Sequence, residues 1–576
     1  MPTLNWIGKD KVVNHHLDVP FRVLEEQYTY GDNADGNMII HGDNLDALKA
    51  LLPRFEGQVK CIYIDPPYNT GNEGWVYNDN VNDPKIRKWL GEVVGREGED
   101  LSRHDKWLCM MYPRLKLLQK LLAEDGAIFI SIDDTEYGNL KAICDEIFGL
   151  NCFVSNVSWQ RTYSTRNDSK GIVNEVEHIL VYSKTQEWQP EKLPRTAEMD
   201  AKYKNPDNDV SAWRTDNAFA PGAATHQGMV YAIQHPFTGQ MLYPANGRCW
   251  TFGQDLMLEI MRGWCNYELR NLHDERQRAV VCGVSDEEIR KDVLAIVLSE
   301  SLEESAKKAQ AVYDRGQWPR FFFTKGGNGG IARKTYLDNV GGKLPTNLWT
   351  YSDTGHTDEA KKEIFALFDG KAVFDTPKPR RLIEYILRIV GGKNAIVLDS
   401  FAGSGTTAHA VLNMNKQDGG HRRFILVETE DYAENITAER VRRVITGYGE
   451  GKKAVEGTGG GFSFYELGAP LMIDGNLNPD VPEARIREYV YYTETKLPML
   501  PVSEAEPHLL GVHNRAAYYF YYLSDAVTTL NEAFLRTIRT DADSYMIYAD
   551  INALDEATMK RHHITFKKIP RDITLL

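Results

Sequence analysis

The chain has no Cys-x-x-C pair, and its seven cysteines (Cys61, Cys109, Cys144, Cys152, Cys249, Cys265 and Cys282) are scattered and odd in number. Neither a disulfide framework nor a zinc site is indicated, and no metal is expected. No apolar run approaches the ~18 residues of a membrane span. The opening Met1-Pro2-Thr3-Leu4-Asn5-Trp6 lacks the basic-then-apolar form of a signal peptide, so a cytoplasmic location is expected. An excess of positive charge is also missing. The net charge of −14 counts against a nucleic-acid partner, although net charge bounds solubility more than it bounds a local surface.

What is present is ordinary for a soluble globular protein: 42% hydrophobic and 26% charged residues in a chain of 576, long enough for roughly three domains. The informative stretch is Asp65-Pro66-Pro67-Tyr68, which follows the apolar run Cys61-Ile62-Tyr63-Ile64. Such a run, closed by proline, reads as a buried strand of a parallel sheet. Two prolines fix two φ angles and remove two N–H donors, so the chain must leave the sheet there. Ligands of open α/β sheets bind beyond the carboxyl ends of the strands. At that place Asp65 and the Pro66 carbonyl are acceptors and Tyr68 is a flat ring, a set suited to a planar group with an exocyclic amine. A strand-to-turn junction with an aspartate cap reads equally well from these four residues alone.

Around this stretch the pattern alternates. Asn37 to Asn44 reads as a short strand and turn, and Leu45 to Leu52 has helical spacing. Asp43 between them either caps that helix or meets a cofactor's amino group. Residues 69–105 read as a long loop with a short helix near Ile86–Leu90, and a loop of that length beside a site suggests a covering role. Apolar residues from Leu108 to Leu122 share one helical face. Ala127–Asp133, Val154–Trp159 and His178–Ser183 read as strands, with a helix from Tyr137 to Phe148 stopped by Gly149. This order predicts a doubly wound, mostly parallel α/β sheet.

A second informative stretch lies far along the chain. Ala395–Asp399 reads as a buried strand, Phe401-Ala402-Gly403-Ser404-Gly405 as a glycine turn, and Ala408–Met414 as a helix. Glycines there permit a tight turn and close backbone approach to a ligand. The next strand, Arg423–Val427, ends in Glu428, roughly 20 residues on, where an acid meets the ribose hydroxyls of a nucleoside. The same segment satisfies the dinucleotide pattern, so it does not by itself separate NAD from other nucleoside cofactors.

Together, Asp65-Pro66-Pro67-Tyr68 and Phe401-x-Gly403-x-Gly405 resemble the S-adenosylmethionine-dependent amino-methyltransferases that act on adenine N6 in DNA. The amine-binding strand precedes the cofactor strand, with a long insertion between them, which resembles the β class and in particular the modification subunits of type III restriction-modification systems. His41-Gly42-Asp43-Asn44-Leu45, Asp125–Asp133 and Phe374-Asp375-Thr376-Pro377-Lys378-Pro379 carry the resemblance further. It implies a methyltransferase-type doubly wound fold with S-adenosyl-L-methionine as cofactor. Asp65, Pro66, Pro67 and Tyr68 would be catalytic, and Asp43, Thr376, Lys378, Asp399, Phe401, Gly403, Gly405 and Glu428 would bind the cofactor. The implied domains are 1–184 (amine-binding half), 185–370 (inserted target recognition), 371–466 (cofactor-binding half) and 467–576 (interaction or assembly). Implied partners are double-stranded DNA, a second copy of the chain, and a restriction helicase-nuclease or other defence subunit.

Within the insertion, Ser285-Asp286-Glu287-Glu288 reads as a capping box opening a helix to about Asp314. Arg320, Lys325, Arg333 and Lys334 alternate with aromatic residues around Gly326-Gly327-Asn328-Gly329-Gly330, as in surfaces that hold phosphates and bases. A glycine hairpin with snorkelling arginines is the other reading. Beyond Gly457–Gly461, Arg515–Leu523 and Ser544–Ala549 read as strands around a helix from Ala526 to Thr537. Three further functions fit parts of the sequence: an NAD-dependent oxidoreductase, a DNA-binding specificity subunit without chemistry, and a methylase of RNA or protein amides. Cytosine N4 is the alternative target within the same class.

Overall fold

The computed structural model describes residues 3–32, 34, 36–70, 101–163, 172–502 and 504–571. The expected short helix near Ile86–Leu90 and most of the long loop lie outside the described residues. Two compact units form: residues Met1–Glu191 with Pro345–Leu576, and residues Lys192–Leu344.

The first unit is organised by one sheet. Its strands in chain order are β1 (Arg22–Gly31), β2 (Met38–His41), β3 (Val59–Ile64), β4 (Leu122–Ile132), β5 (Phe153–Gln160), β6 (Val176–Ser183), β7 (Leu348–Trp349), β8 (Ile396–Asp399), β9 (Arg423–Glu428) and β10 (Gly461–Pro470). Their order across the sheet is β1-β10-β2-β9-β8-β3-β4-β6-β5-β7. From β10 to β4 every pairing is parallel, whereas β1 and β6 run the other way. The central strands are apolar throughout because helices cover both faces. Alternate residues Ile62, Ile64, Ile128, Ile130 and Ile132 join one core with α1 (Asn44–Phe55), α2 (Leu101–Leu121) and α3 (Tyr137–Phe148). Each of these buried isoleucines contributes about 2 kcal/mol by leaving water. Among the following helices, α4 (Thr357–Leu367), α5 (Arg380–Val390), α6 (Thr406–Asp418) and α7 (Glu439–Thr446), α5 packs on β3 and β4 and also on α6.

Several expected boundaries move. The insertion is narrower than 185–370, because β7 pairs with β5 and α4 packs on α7 within the first unit. No break falls at Glu466, since β10 runs through it, pairing with β1 and β2. The helix Glu483–Thr495 then docks on α1, where Arg54 pairs with Glu488 at 3.1 Å. Four strands of the C-terminal region, Leu509–His513, Ala516–Phe520, Ser544–Ala549 and Ile564–Lys568, make a sheet of their own. The expected helix Ala526–Thr537 is reduced to Glu532–Leu535, because Thr529-Leu530 pairs as a short strand with Ile551-Asn552.

In the second unit the expected helix beginning at Ser285 is displaced. Ser285 does bond Glu288, but strand Ala295–Leu298 intervenes, and the long helix is Leu302–Arg315. Its cap is Ser301, whose hydroxyl accepts from the Glu304 N–H at 3.3 Å. The apolar run Ala295-Ile296-Val297-Leu298 is short and fully buried, and burial in a sheet outweighs the helical signal before it.

Candidate active site

At the end of β3 the backbone is fastened within the tetrapeptide and just after it. The Trp107 indole donates to the Pro67 carbonyl at 2.7 Å. Asn69 is fully buried with a left-handed φ of 62°, a conformation asparagine tolerates better than most residues. Its amide donates to the buried carboxylate of Glu136, which also meets His104 at 2.6 Å and Asn139 at 2.8 Å. Two prolines and these anchors leave Asp65 and Tyr68 little freedom.

β8 pairs with β3 in parallel, Val397 opposite Cys61 and Leu398 opposite Ile62. This register sets the glycine turn beside the tetrapeptide. Asp399 accepts from the Phe401 N–H at 3.1 Å and the Thr407 hydroxyl at 2.5 Å, closing the turn. Gly403 has φ 51°, and a Cβ there would lie 3.1 Å from the Phe374 ring. Its N–H donates to Glu428 at 2.7 Å, and the Glu430 N–H donates to the other oxygen at 3.0 Å. From behind, the buried guanidinium of Arg440 donates to the hydroxyls of Ser404 at 2.9 Å and Thr406 at 2.8 Å. Burial pushes the carboxyls of Asp399 and Glu428 up to about 7 in each case, with their hydrogen-bond donors opposing.

Both halves line one cavity of about 630 Å³, a size usual for a small-molecule site. Asp65, Pro66, Pro67, Tyr68, Thr376, Lys378, Asp399, Phe401, Gly403 and Glu428 all line it. Gly405 lies just behind, with φ 79° and the Thr437 carbonyl 3.1 Å from where a Cβ would stand. Asp43 is not among the lining residues. It caps α1, accepting from the Leu45 N–H at 2.7 Å, and it pairs with Arg114 at 3.3 Å.

Lys378 lines the cavity with its ammonium turned to the tetrapeptide. Its ammonium donates to both oxygens of Asp65 at 2.7 Å and to the Tyr68 hydroxyl at 2.9 Å, and lies 4.9 Å from the Tyr68 ring centre. Tyr68 in turn donates to Glu177 at 3.0 Å, and Glu177 is paired with Arg161 at 2.8 Å. Burial alone would depress the Lys378 ammonium. The carboxylates of Asp65 and Glu177 more than offset this, so its pKa stands above that of a free lysine.

Sequence reasoning missed Glu177, Arg161, Glu136, Trp107 and Arg440. Only Glu177 carried a signal: a charge at the head of the apolar strand His178–Ser183, which in the structure begins at Val176.

In the second unit the four basic residues separate. Arg320 and Lys325 are exposed, with Arg320 stacked 5.1 Å over Phe252. Arg333 is half-buried and paired with Asp216 at 3.0 Å. Lys334 is fully buried, bonded to Asp207, to Asp209 at 2.6 Å and to the Trp318 carbonyl at 2.7 Å. The expectation that Lys334 meets DNA is corrected: a side chain with no exposed surface and three acceptors is an internal clamp. It lies on the middle strand of Phe321–Phe323, Ile331–Tyr336 and Trp213–Asp216, where side chains alternate in face, so Lys334 is buried while its neighbour Arg333 is half-exposed.

A doubly wound α/β unit with its ligand cavity at the carboxyl ends of β3 and β8 is what the fold and site define. The family model described as "DNA methylase" matches residues 59–439. The chain belongs to this DNA methylase family, and its sheet is the doubly wound, mostly parallel one expected of it. It is 34% identical over 451 residues to the Mod subunit of the type III restriction-modification enzyme StyLTI of Salmonella typhimurium, covering 75% of this chain and 59% of that one. To the EcoPI Mod subunit of Escherichia phage P1 it is 28% identical, over 74% of this chain and 64% of the relative. To the type II methyltransferase M.KpnI of Klebsiella pneumoniae it is 29% identical, over 69% and 81%. The chain thus spans about 60% of the StyLTI and EcoPI subunits' own length.

Replacing Lys334 by methionine leaves the buried Asp207 and the half-buried Asp209 without their cation. It is expected to destabilise residues 192–344 by about 3–5 kcal/mol, read as lost hydrogen-exchange protection there. Arg320→Ala is expected to leave that protection unchanged.

Proposed function

We propose that the chain transfers a methyl group from S-adenosyl-L-methionine to the N6 amine of an adenine extruded from duplex DNA. The observation that supports this best is the shared cavity, where the acceptor pair of Asp65 and Pro66 faces the glycine turn and Glu428. The residues present fit the cofactor: Gly403 leaves a cradle that a Cβ would fill, and Glu428 retains lone pairs for a ribose diol. Bound there, S-adenosylmethionine would supply a methyl group that is already activated.

The chain's own part is then alignment and electrostatics. Asp65 and the Pro66 carbonyl accept from the amine's hydrogens, which favours a pyramidal nitrogen with its lone pair free. The same acceptors stabilise positive charge as it develops on that nitrogen. Tyr68 stacks on the base, whose amine is out of reach while it is paired. The rigid turn holds these groups in line, which for a direct transfer is most of what is required. An aspartate at the head of the tetrapeptide favours adenine N6, with cytosine N4 as the second reading. The names of the StyLTI and EcoPI relatives favour work as a modification subunit beside a restriction partner. The exposed Arg320 and Lys325 suit a DNA-facing surface in the inserted unit, and a homodimer is the proposed assembly.

Asp65→Ala is expected to abolish transfer of tritiated methyl to DNA while S-adenosylmethionine binding stays within about threefold. Retained transfer would remove Asp65 from the chemistry. A pH effect follows from Glu428. A diol that donates hydrogen bonds prefers its ionised form, so binding favours loss of the proton. Affinity for S-adenosylmethionine is therefore expected to rise through the Glu428 pKa of about 7, by about tenfold between about pH 6 and about pH 8. Calorimetry should find Glu428→Gln weaker at high pH and flatter throughout.

A further inference from the structure

Resting on this reading, one arrangement in the cavity goes beyond it. The acceptor expected to hold the target amine is already taken. Lys378 donates to both Asp65 oxygens at 2.7 Å, and its side chain is only 12% exposed. An ammonium left there would block the amine and set a like charge beside the nitrogen on which positive charge develops. It cannot withdraw far, because the Thr406 hydroxyl donates to the Lys378 carbonyl at 3.3 Å and holds the backbone. The next carboxylate is Glu177, 3.8 Å from the ammonium, with 7% of its side chain exposed.

Glu177 is built for this. Arg161 holds one of its oxygens at 2.8 Å. The other accepts the Tyr68 hydroxyl at 3.0 Å and keeps a second lone pair facing Lys378. Two carboxylates and two cations make the group neutral in sum. A neutral amine entering at Asp65 preserves that balance only if the ammonium keeps a carboxylate partner.

We infer that Glu177 is a positioning residue that receives the Lys378 ammonium from Asp65 when the target amine enters, so that Lys378 is a placeholder for the amine. Tyr68, bonded to both, redistributes its hydroxyl hydrogen bonds with the exchange while its ring stays set for the base.

The test measures tritiated methyl transfer from S-adenosylmethionine to unmethylated bacterial genomic DNA, with cofactor affinity by calorimetry. Glu177→Gln keeps an acceptor for Tyr68 but no charge for Lys378. It is expected to lower kcat by about 30-fold with cofactor affinity within about twofold. Adding Lys378→Met to Glu177→Gln is expected to restore most of that loss, since the ammonium no longer has to move. Lys378→Met alone is expected to lower the KM for DNA and leave the KM for S-adenosylmethionine unchanged, a result that stands even if Glu177→Gln does not fold. Unchanged kcat in Glu177→Gln, losses that add in the double variant, or a raised KM for S-adenosylmethionine in Lys378→Met would overturn the inference. Wild-type protein that transfers no methyl to any DNA would instead remove the parent reading, and the inference with it.

Discussion

The parallel pairing of Cys61-Ile62 with Val397-Leu398 is the constraint on which the site depends. Neither half is a site alone. The tetrapeptide after β3 brings acceptors and a ring, the turn after β8 brings glycines and the buried Glu428, and the two line one cavity. A sheet with parallel central strands sends both chain exits to the same edge, and adjacent strands set them side by side. Because the side-chain period is two, a one-residue slip would turn Ile62 and Ile64 out of their core. The hydrophobic packing therefore also fixes the site.

Charge is arranged around that edge with little to spare. Asp399 and Glu428, on the glycine-turn side of the cavity, are buried, and burial pushes their pKa values up to about 7. On the tetrapeptide side, Lys378 and Arg161 balance Asp65 and Glu177. Buried charge of one sign without a partner would cost several kcal/mol, and the structure has each of these four paired.

The sequence made legible what repeats locally. Strands such as Cys61–Ile64 and Ala127–Ile132 are apolar runs, and helices such as Tyr137–Phe148 end at a positive-φ glycine. The glycine turn and the proline tetrapeptide announce themselves by composition. What stayed hidden depends on distant partners. Lys334 reads as an exposed cation until Asp207 and Asp209 are brought beneath it. Lys378 reads as a cofactor contact, and its pairing at 2.7 Å with Asp65, far away in the chain, has no local signal. Asp43 was open between two roles, and its bonds to Leu45 and Arg114 are those of a helix cap. The helix assigned from Ser285 failed because a capping box is a local signal, and the strand Ala295–Leu298 is set by burial in a sheet.

The reaction proposed for the cavity between β3 and β8 is methylation of an adenine amine in DNA. Single-molecule sequencing of unmethylated genomic DNA, after incubation with the protein and S-adenosylmethionine, tests it most directly. The account predicts N6-methyladenine at one fixed sequence context, lost in Asp65→Ala. N4-methylcytosine alone, or no modified base at all from protein that binds the cofactor, would contradict it.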